Sequence, residues 1–387
     1  MKKIGIYIHI PFCKKKCKYC DFLSFENCKF VKEYIDRLLW DIDNINEILI
    51  ESKIGALAPN IIVDTIYFGG GTPSFINAKY ISQILYKLRS EFIIEEDAEI
   101  TIEVNPGTVD YEKLQSYFNV GFNRLSIGCQ EVHDNILQTI GRIHNYEEFV
   151  NTYKMARNIG FKNINVDLML GLPKQTINDL KESVNKIMHL NPNHISLYSL
   201  ILEDGTKLQK EIDDGILSIP SEEIERKMYH ETKKILEENG YIHYEISNFA
   251  REGFFSKHNL NCWNQHEYLG FGLGSSSYFN KKRFSNETNF QKYIEKSSEQ
   301  VYNKIVVVNE IQDIQEEMKE FVMLGFRKLE GISKSKFNYK FKKDINRVFN
   351  KEILKLKSEG LIEENRDYLK LTLKGLDLAN LVFEEFI

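Results

Sequence analysis

Along the first two hundred positions, apolar residues fall into short continuous runs. Longer stretches separate them, in which apolar residues recur every third or fourth place. The runs at 4–10, 64–68, 99–104, 124–127, 163–170 and 194–200 predict six strands. Between them the helical period predicts a helix over 30–50, with Val31, Tyr34, Leu38, Ile42, Ile45 and Leu49 on one face. A second helix is expected near 79–89, and helical sequence fills the span from the fourth strand to 159. Short apolar strands alternating with amphipathic helices make βα units on a parallel sheet with right-handed crossovers. Six such units predict an α/β fold: a partial (βα)6 barrel of the TIM type, with an open doubly wound sheet as the competing arrangement. In both, ligands gather at the carboxyl ends of the strands. The polar and glycine-rich residues fall there repeatedly: Cys13–Cys20 after the first strand, Gly69–Pro73 after the second, Glu103 and Asn105 ending the third, Gln130 after the fourth, Asp167 in the fifth. One site spread over five strands is the expectation.

The pattern changes after about residue 205. A middle region, 206–310, carries an amphipathic helix near 221–239, a strand at 241–246 and the aromatic, glycine-rich stretch KHNLNCWNQHEYLGFGLGSSS. From Glu316 the order is helix, GISKSKF turn, helix 346–358, the hairpin-like LIEENRDYLKLT and a last helix. Residues 311–387 therefore read as a winged-helix-like α+β unit. Its 15 basic residues are balanced by 14 acidic ones, which argues against DNA binding and for packing on the barrel or binding a protein.

Composition narrows the function classes. The chain of 387 residues is long enough for one large domain and a smaller one, and its net charge of −5 gives no basic surplus for a nucleic-acid partner. Its apolar runs are too short to span a membrane, and no separate apolar targeting segment opens the sequence. Six cysteines, three of them within eight residues, do not form a disulfide framework at this size. They fit a reducing compartment, so a cytoplasmic location is expected. Transient association with a membrane surface stays open.

The chemistry centres on Cys13, Cys17 and Cys20, spaced CxxxCxxC. One loop can aim three thiolates at a common centre and leave one position without a protein ligand. A structural zinc site is closed by four protein ligands, whereas three soft sulfurs with no obvious fourth point to an iron–sulfur cluster with one exchangeable iron. The alternatives are a zinc knuckle completed by His9 or Cys28, and cysteines that ligate nothing. Lys14, Lys15, Lys16 and Lys18 make the loop basic, which favours thiolates and an acidic electron donor, but such runs are more often solvated surface.

The segments YIHIPFC, YFGGGTPS, IEVNPGT, NRLSIGCQ, LQTIGRIH, VDLMLGLP, ISLYSLILEDGT and HNLNCW, in this order, resemble the radical S-adenosylmethionine superfamily. The resemblance covers nearly the whole chain, and within the superfamily the subgroup is that of oxygen-independent coproporphyrinogen III dehydrogenase-like proteins. It implies a [4Fe-4S] cluster whose open iron binds the amino and carboxylate groups of S-adenosylmethionine. Gly70, Gly71 and Thr72 would then approach the methionine end, Tyr7 and Tyr19 would line the nucleoside side, and Glu103 would hold the amino group. Gln130, Arg142 and Asp167 match positions that hold a second S-adenosylmethionine in the dehydrogenases. The dehydrogenases carry a further cysteine two residues after the third ligand; here that position is Phe22. The Asp21-Phe22 form and HNLNCW resemble the heme-chaperone branch, although Cys262 stands where the branch has tyrosine and GSSS at 274–277 lacks its usual histidine. The leading implication is a protein that binds heme and transfers it to an acceptor protein, with flavodoxin or ferredoxin as electron donor. The alternative is the decarboxylating dehydrogenase of porphyrin biosynthesis. A radical enzyme acting on another tetrapyrrole is the third.

Each assignment has a plainer counterpart. The glycines also suit a tight turn, Tyr7 and Tyr19 also suit packing, and Arg142 with Asp167 also suits a buried pair tying helix to barrel. His258 and Cys262 are the heme-ligand candidates, though a histidine is as often a polar core or capping group. His9 is expected to form hydrogen bonds inside the barrel. Cys28 and Cys129 are expected to be small core residues, and Trp263 and Tyr268 to pack.

Overall fold

The structure is a computed structural model that describes residues 2–295, 306–311 and 313–387. Six parallel strands, β1 (Lys2–Ile10), β2 (Ile61–Gly70), β3 (Ile93–Val104), β4 (Arg124–Gln130), β5 (Asn163–Leu170) and β6 (His194–Ser199), pair in sequence order. The helical segments between them carry the chain from one parallel strand to the next. This is the partial barrel of the expected kind, joined to a C-terminal α+β unit.

Both edges of the six-stranded core are extended. On the β6 side lies an antiparallel hairpin of β7 (Ile242–Glu245) and β8 (Asn248–Ala250). On the β1 side lie β9 (Tyr268–Phe271), parallel to β1, and then β10 (Ser276–Phe279), β11 (Lys282–Asn286) and β12 (Val306–Ile311), each antiparallel to its neighbour. The middle region is thus no separate layer: it covers both open edges of the barrel sheet, which would otherwise present unpaired backbone. Its part at 296–305 lies outside the described residues. A small sheet, β13 (Ile332–Ser333), β15 (Tyr368–Leu371) and β14 (Ile362–Glu364) in that spatial order, forms the wing of the C-terminal unit. That unit packs on the barrel through backbone bonds from Ile246 to Arg327 (3.0 Å) and from Leu329 to Tyr244 (3.1 Å).

Several predicted elements are divided. The helix expected over 30–50 is two, Val31–Asp43 and Ile45–Glu51, because the Asn44 side chain donates to the Trp40 carbonyl at 2.8 Å and its backbone leaves the helical region. The helix expected at 346–358 breaks at Phe349, whose φ of −113° and ψ of 39° are not helical. The strand expected at 241–246 is β7, and a second strand, β8, follows it to complete a hairpin. Cys28, expected in the core, is exposed in the loop before the first helix.

The parallel strands alternate in an unusual sense. In β1, Ile4, Ile6, Ile8 and Ile10 are buried among the helices, while Tyr7 and His9 face the barrel interior. In β2, Ile66 and Phe68 join the apolar core, while Thr65 and Tyr67 face inward. The same register gives an inner row of Glu99 and Glu103 on β3, Arg124 and Ser126 on β4, Asn165 and Asp167 on β5, and His194 and Ser196 on β6. Barrels of this type are ordinarily filled by branched apolar side chains. Here the apolar core lies outside the sheet and the lumen is polar.

Tyr34 joins three parts of the fold. Its buried hydroxyl donates to the His9 carbonyl at 2.6 Å and accepts from the Leu273 amide at 3.1 Å, tying the first helix to β1 and to the segment after β9. Tyr34→Phe leaves both backbone groups buried without this partner and should lower the unfolding free energy by about 1–3 kcal/mol in denaturant titration. Tyr339→Phe, at an exposed position, should change nothing measurable.

Candidate functional site

The carboxyl ends of β1–β6 surround a cavity of about 480 Å³. Its wall includes Cys13, Cys17, Tyr19 and Cys20 from the loop after β1, Tyr67, Gly70, Gly71 and Thr72 from β2 and its loop, Glu103 and Asn105 from β3, and Ser126, Gly128 and Gln130 from β4. Arg142, Asp167 and Met169 complete one side. Around the mouth stand Lys15, Asp21, Phe22, Tyr198, Leu200, Ile201 and Glu203. Eleven of the twelve residues expected to bind cluster or cofactor line this one space. The exception, Tyr7, lies behind Tyr67, with its hydroxyl on His9 Nδ1 at 3.1 Å and its ring stacked on Tyr67 at 6.3 Å.

The cysteine loop is fastened from several directions. Cys13 donates its amide to the Phe25 carbonyl (2.9 Å) and Phe25 returns a bond to Pro11 (2.7 Å). Lys18 bonds through its amide to Ile140, accepts the Leu208 amide, and pairs through Nζ with Glu211 at 2.7 Å. The basic run is therefore not uniformly solvated surface: Lys18 is a structural tie, Lys16 donates to the Phe22 carbonyl, and Lys14 and Lys15 are exposed. The glycine run is bonded to the same loop, with Gly71 N–H donating to Ile10 O and Thr72 N–H to Phe12 O, both at 2.9 Å. A Cβ at Gly70, whose φ is +114°, would stand 2.7 Å from the His9 ring, and one at Gly71 would stand 3.0 Å from Cys13 Sγ. Glycine is required at both positions, by backbone conformation at the first and by close approach at the second.

The donor set fits the cluster better than a lone metal ion. His9 Nε2 is engaged by the Leu23 carbonyl at 2.9 Å, and Cys28 is exposed with its thiol turned to the Glu26 carbonyl, so neither completes a zinc site. Among the described residues, no three His, Cys, Asp or Glu side chains converge as ligands of one ion. A cubane cluster does not ask for that, since its three cysteines sit on three different irons. Burial pushes the Cys13 and Cys20 thiols up, Cys20 to about 11, so cluster assembly must release protons.

Glu103 stands across the cavity. It accepts from Tyr67 Oη at 2.9 Å, and burial with the nearby Asp167 pushes its carboxyl up to about 8 despite the bonds from Tyr67 and the Gly70 amide. A carboxylate that is costly to leave bare in this way is suited to an ammonium partner. Asp167 is not paired with Arg142. It is held by Asn165 Nδ2 at 2.7 Å and by Ser126 Oγ, and burial also raises it. Arg142 instead donates to Asn105 Oδ1 (2.5 Å), to the Gly128 carbonyl (2.8 Å) and to Cys17 Sγ (3.5 Å), while its buried Nε has no partner. Gln130 holds a φ of +68°, a strained backbone for a non-glycine residue and one typical of a binding position.

His258 and Cys262 lie elsewhere. Both belong to the helix Lys257–Trp263, which closes the opposite, amino-terminal end of the barrel. The His258 ring bonds Thr65 Oγ1 at 3.0 Å and stacks on Tyr67, and burial with Arg124 nearby lowers it to about 4. Burial raises Cys262 to about 11. Cys129 is buried, and Trp263 packs under the Arg327 guanidinium at 4.3 Å. The residues that sequence reasoning passed over are Tyr67, Ser126, Tyr198 and Ile201. For the first three, the signal was the period-2 register with the named inward residues on their own strands.

The Radical SAM superfamily model matches residues 7–187 and the HemN C-terminal domain model matches residues 312–378. The heme chaperone HemW of Lactococcus lactis is 35% identical over 100% of this chain and 98% of its own length. That of Bacillus subtilis is 36% identical over 98% of each chain. In fold, the chain is similar to coproporphyrinogen III oxidase (HemN) from Escherichia coli, with a TM-score of 0.83 and 24% identity, covering 100% of this chain and 90% of that one.

Two outcomes follow from this geometry. Replacing Cys13, Cys17 or Cys20 by Ala should abolish the iron–sulfur absorption and EPR signal of reconstituted protein, whereas Cys28→Ala and Cys262→Ala should leave them nearly intact. The second concerns Glu103. Its folded-state carboxyl keeps a proton that the unfolded chain has already lost, so stability should fall as pH rises from the ordinary carboxylate range to about 8. Glu103→Gln should flatten that part of the profile in denaturant titrations run across the range.

Proposed function

The chain belongs to the family of the heme chaperone HemW, within the radical S-adenosylmethionine superfamily, and we propose that it binds heme and passes it to an acceptor protein while carrying a [4Fe-4S] cluster and S-adenosylmethionine. The observation that carries this reading is the cavity itself. It joins three cysteines, a glycine loop and a buried carboxylate at its floor to a mouth where exposed apolar side chains stand among charged ones, and Phe22 stands at that mouth where the dehydrogenases have a further cysteine.

In this reading Cys13, Cys17 and Cys20 hold the cluster. When bound, the cluster supplies a low-potential electron and an open iron for the amino and carboxylate groups of S-adenosylmethionine. Glu103 would accept a hydrogen bond from the amino group that the iron binds, and it would do so in its ionised form. Gly70, Gly71 and Thr72 give backbone groups at close range, Tyr19 covers the nucleoside side, and Gln130, Arg142 and Asp167 supply polar contacts deeper in the wall. Arg142, fixed by Asn105 and the Gly128 carbonyl, places a permanent positive charge beside Cys17.

Phe22 and Ile201 are 63% and 67% exposed at opposite sides of the mouth, with Tyr198 between them in the wall. Apolar side chains of this size, left in water beside a cavity, suit contact with a flat apolar ligand or with the partner that receives it. The exposed Lys14 and Lys15 on the cluster loop suit an acidic electron donor such as flavodoxin or ferredoxin. No helix among the described residues is long and apolar enough to cross a membrane.

Anaerobic titration of the purified protein with heme, read by absorbance, should saturate near one heme per chain. Phe22→Asp should weaken that binding by about tenfold, the loss of ~1.4 kcal/mol expected when a partly buried aromatic contact becomes a charge. A parallel assay with coproporphyrinogen III should give no turnover. Sustained turnover without stoichiometric heme binding would transfer the chain to the dehydrogenase branch.

A further inference from the structure

We propose that His258 is a positioning residue for the cofactor end of the cavity, acting through Tyr67 on Glu103.

The inner rows of β2 and β3 form two parallel columns through the barrel: Thr65 and Tyr67 on one, Glu99, Thr101 and Glu103 on the other. The helix Lys257–Trp263 is fixed across the lower ends of both columns. Glu99 accepts the backbone amides of Lys257 and His258 at 3.0 Å each, so a buried carboxylate caps the first turn of this helix. Asn261 donates to both Asp64 oxygens at 3.1 Å. With the helix held at that height, the His258 ring has one place to go. Its Nδ1 meets Thr65 Oγ1 at 3.0 Å, and its face lies against Tyr67, with centroids 5.2 Å apart and planes 27° from parallel.

Tyr67 is therefore held from below by His258 and from the side by Tyr7, and its hydroxyl reaches Glu103 Oε1 at 2.9 Å. Its freedom on the glycine side is small as well, since a Cβ at Gly69 would stand 3.0 Å from both the Tyr67 ring and Glu103 Oε1. The groups that face Glu103 are thus the Tyr67 hydroxyl, the Gly70 amide and, from β5, the Asp167 carboxylate, with the Tyr7 and Tyr198 phenols of β1 and β6 near enough to feel its charge. Of these, the Tyr67 hydroxyl is the one whose position depends on a side chain from outside the parallel strands. Removing the His258 ring leaves a space under Tyr67 into which that ring can drop. The hydrogen bond that favours ionised Glu103 is then lost, and the amino group it would hold is held less well. The inference rests on the reading that the cavity takes S-adenosylmethionine, and it is independent of heme transfer.

The test uses the full-length, cluster-reconstituted protein with S-adenosylmethionine as the probe, measured by anaerobic equilibrium dialysis between pH 6.5 and 9.5, a range of about 1.5 units either side of the shifted carboxyl. His258→Ala should weaken binding by about tenfold, equivalent to ~1.4 kcal/mol, within the span of couplings between contacting residues. It should also move the pH midpoint of binding upward, because Glu103 then ionises less readily. His258→Phe, which keeps a ring under Tyr67, should recover most of the affinity. Thr65→Val, a milder change that frees the imidazole, should shift affinity and midpoint in the same direction by about two- to threefold. It decides the matter if His258→Ala fails to fold by circular dichroism.

Unchanged affinity and midpoint in folded His258→Ala, or in Thr65→Val if the first is unfolded, would overturn the proposal. So would unchanged cofactor binding in a His258→Ala protein whose bound heme has lost a histidine-ligated spectrum, which would make the residue a heme ligand. Failure of the wild type to bind S-adenosylmethionine would overturn the cofactor reading itself, an outcome distinct from equal binding by wild type and variants.

Discussion

A polar barrel interior is the constraint on which the rest of this structure depends. Burying a hydroxyl, amide or carboxylate costs free energy unless it finds a hydrogen-bond partner. Six strands that turn Thr65, Tyr67, Glu99, Glu103, Arg124, Ser126, Asn165, Asp167 and His194 toward one another must satisfy all of them at once. Most are satisfied in chains: Asp167 to Asn165, Asn165 to His194, His194 to the Tyr244 hydroxyl at 2.7 Å, and Tyr67 to Glu103, while Arg124 Nε faces Glu99 Oε2 only at 4.0 Å. Stability has to come from elsewhere, and it comes from the even-numbered isoleucines of β1 and their counterparts, buried between sheet and helices. The sheet thus faces an oily layer outside and an aqueous-like one within, the reverse of a barrel filled by aliphatic side chains.

That inversion explains the role of the middle region. A polar lumen open at both ends would admit water and lose the raised carboxyl of Glu103. The helix Lys257–Trp263 closes the lower end and brings the Ser256 hydroxyl, two backbone amides and an imidazole to groups that would otherwise be unpaired. The strands on either side of the six cover the edges. The C-terminal unit reaches the same area, since Gln265, just after the plugging helix, donates to the Glu317 carbonyl and accepts from Lys340. Its aromatic residues Phe326, Phe337, Phe341, Phe349 and Phe386 pack on one another and are continuous with the apolar core of the barrel. Its contacts hold the plug in place, which agrees with its balanced charge.

At the upper end the opposite arrangement holds. The lumen opens into a cavity whose floor is polar and whose mouth carries the exposed apolar side chains of Phe22 and Ile201. The pairing of β1 with β2 sets its geometry: His9 lies opposite Gly69 and Ile10 opposite Gly70, so the cysteine loop and the glycine run leave the sheet side by side. Two backbone hydrogen bonds then continue the ladder past the last strand residues. Rigid placement of three thiols beside a backbone-rich loop is what binding a cluster and a charged small molecule at one point requires.

Much of this was legible in the sequence. The six strands, their parallel order, the cavity at their carboxyl ends and its cysteines and glycines all follow from local periodicity and from residues whose chemistry is tied to position in a βα unit. Local pattern could not place what depends on register across strands. That Tyr67 faces Glu103, that Arg142 serves Asn105 and Cys17 and leaves Asp167 to Asn165, and that Cys28 is exposed are decided by neighbours far away in the chain. The clearest case is HNLNCW. Its histidine carries a chemistry that sequence reading assigns to metal ligation, yet tertiary structure gives it a buried place beneath Tyr67, because Glu99, some 160 residues earlier, fixes the height of its helix. Sequence alone determined which groups this protein possesses and at which end of the barrel most of them lie. The packing of a plug against a polar lumen decided which of them touch, since a buried polar group finds its partner only in three dimensions.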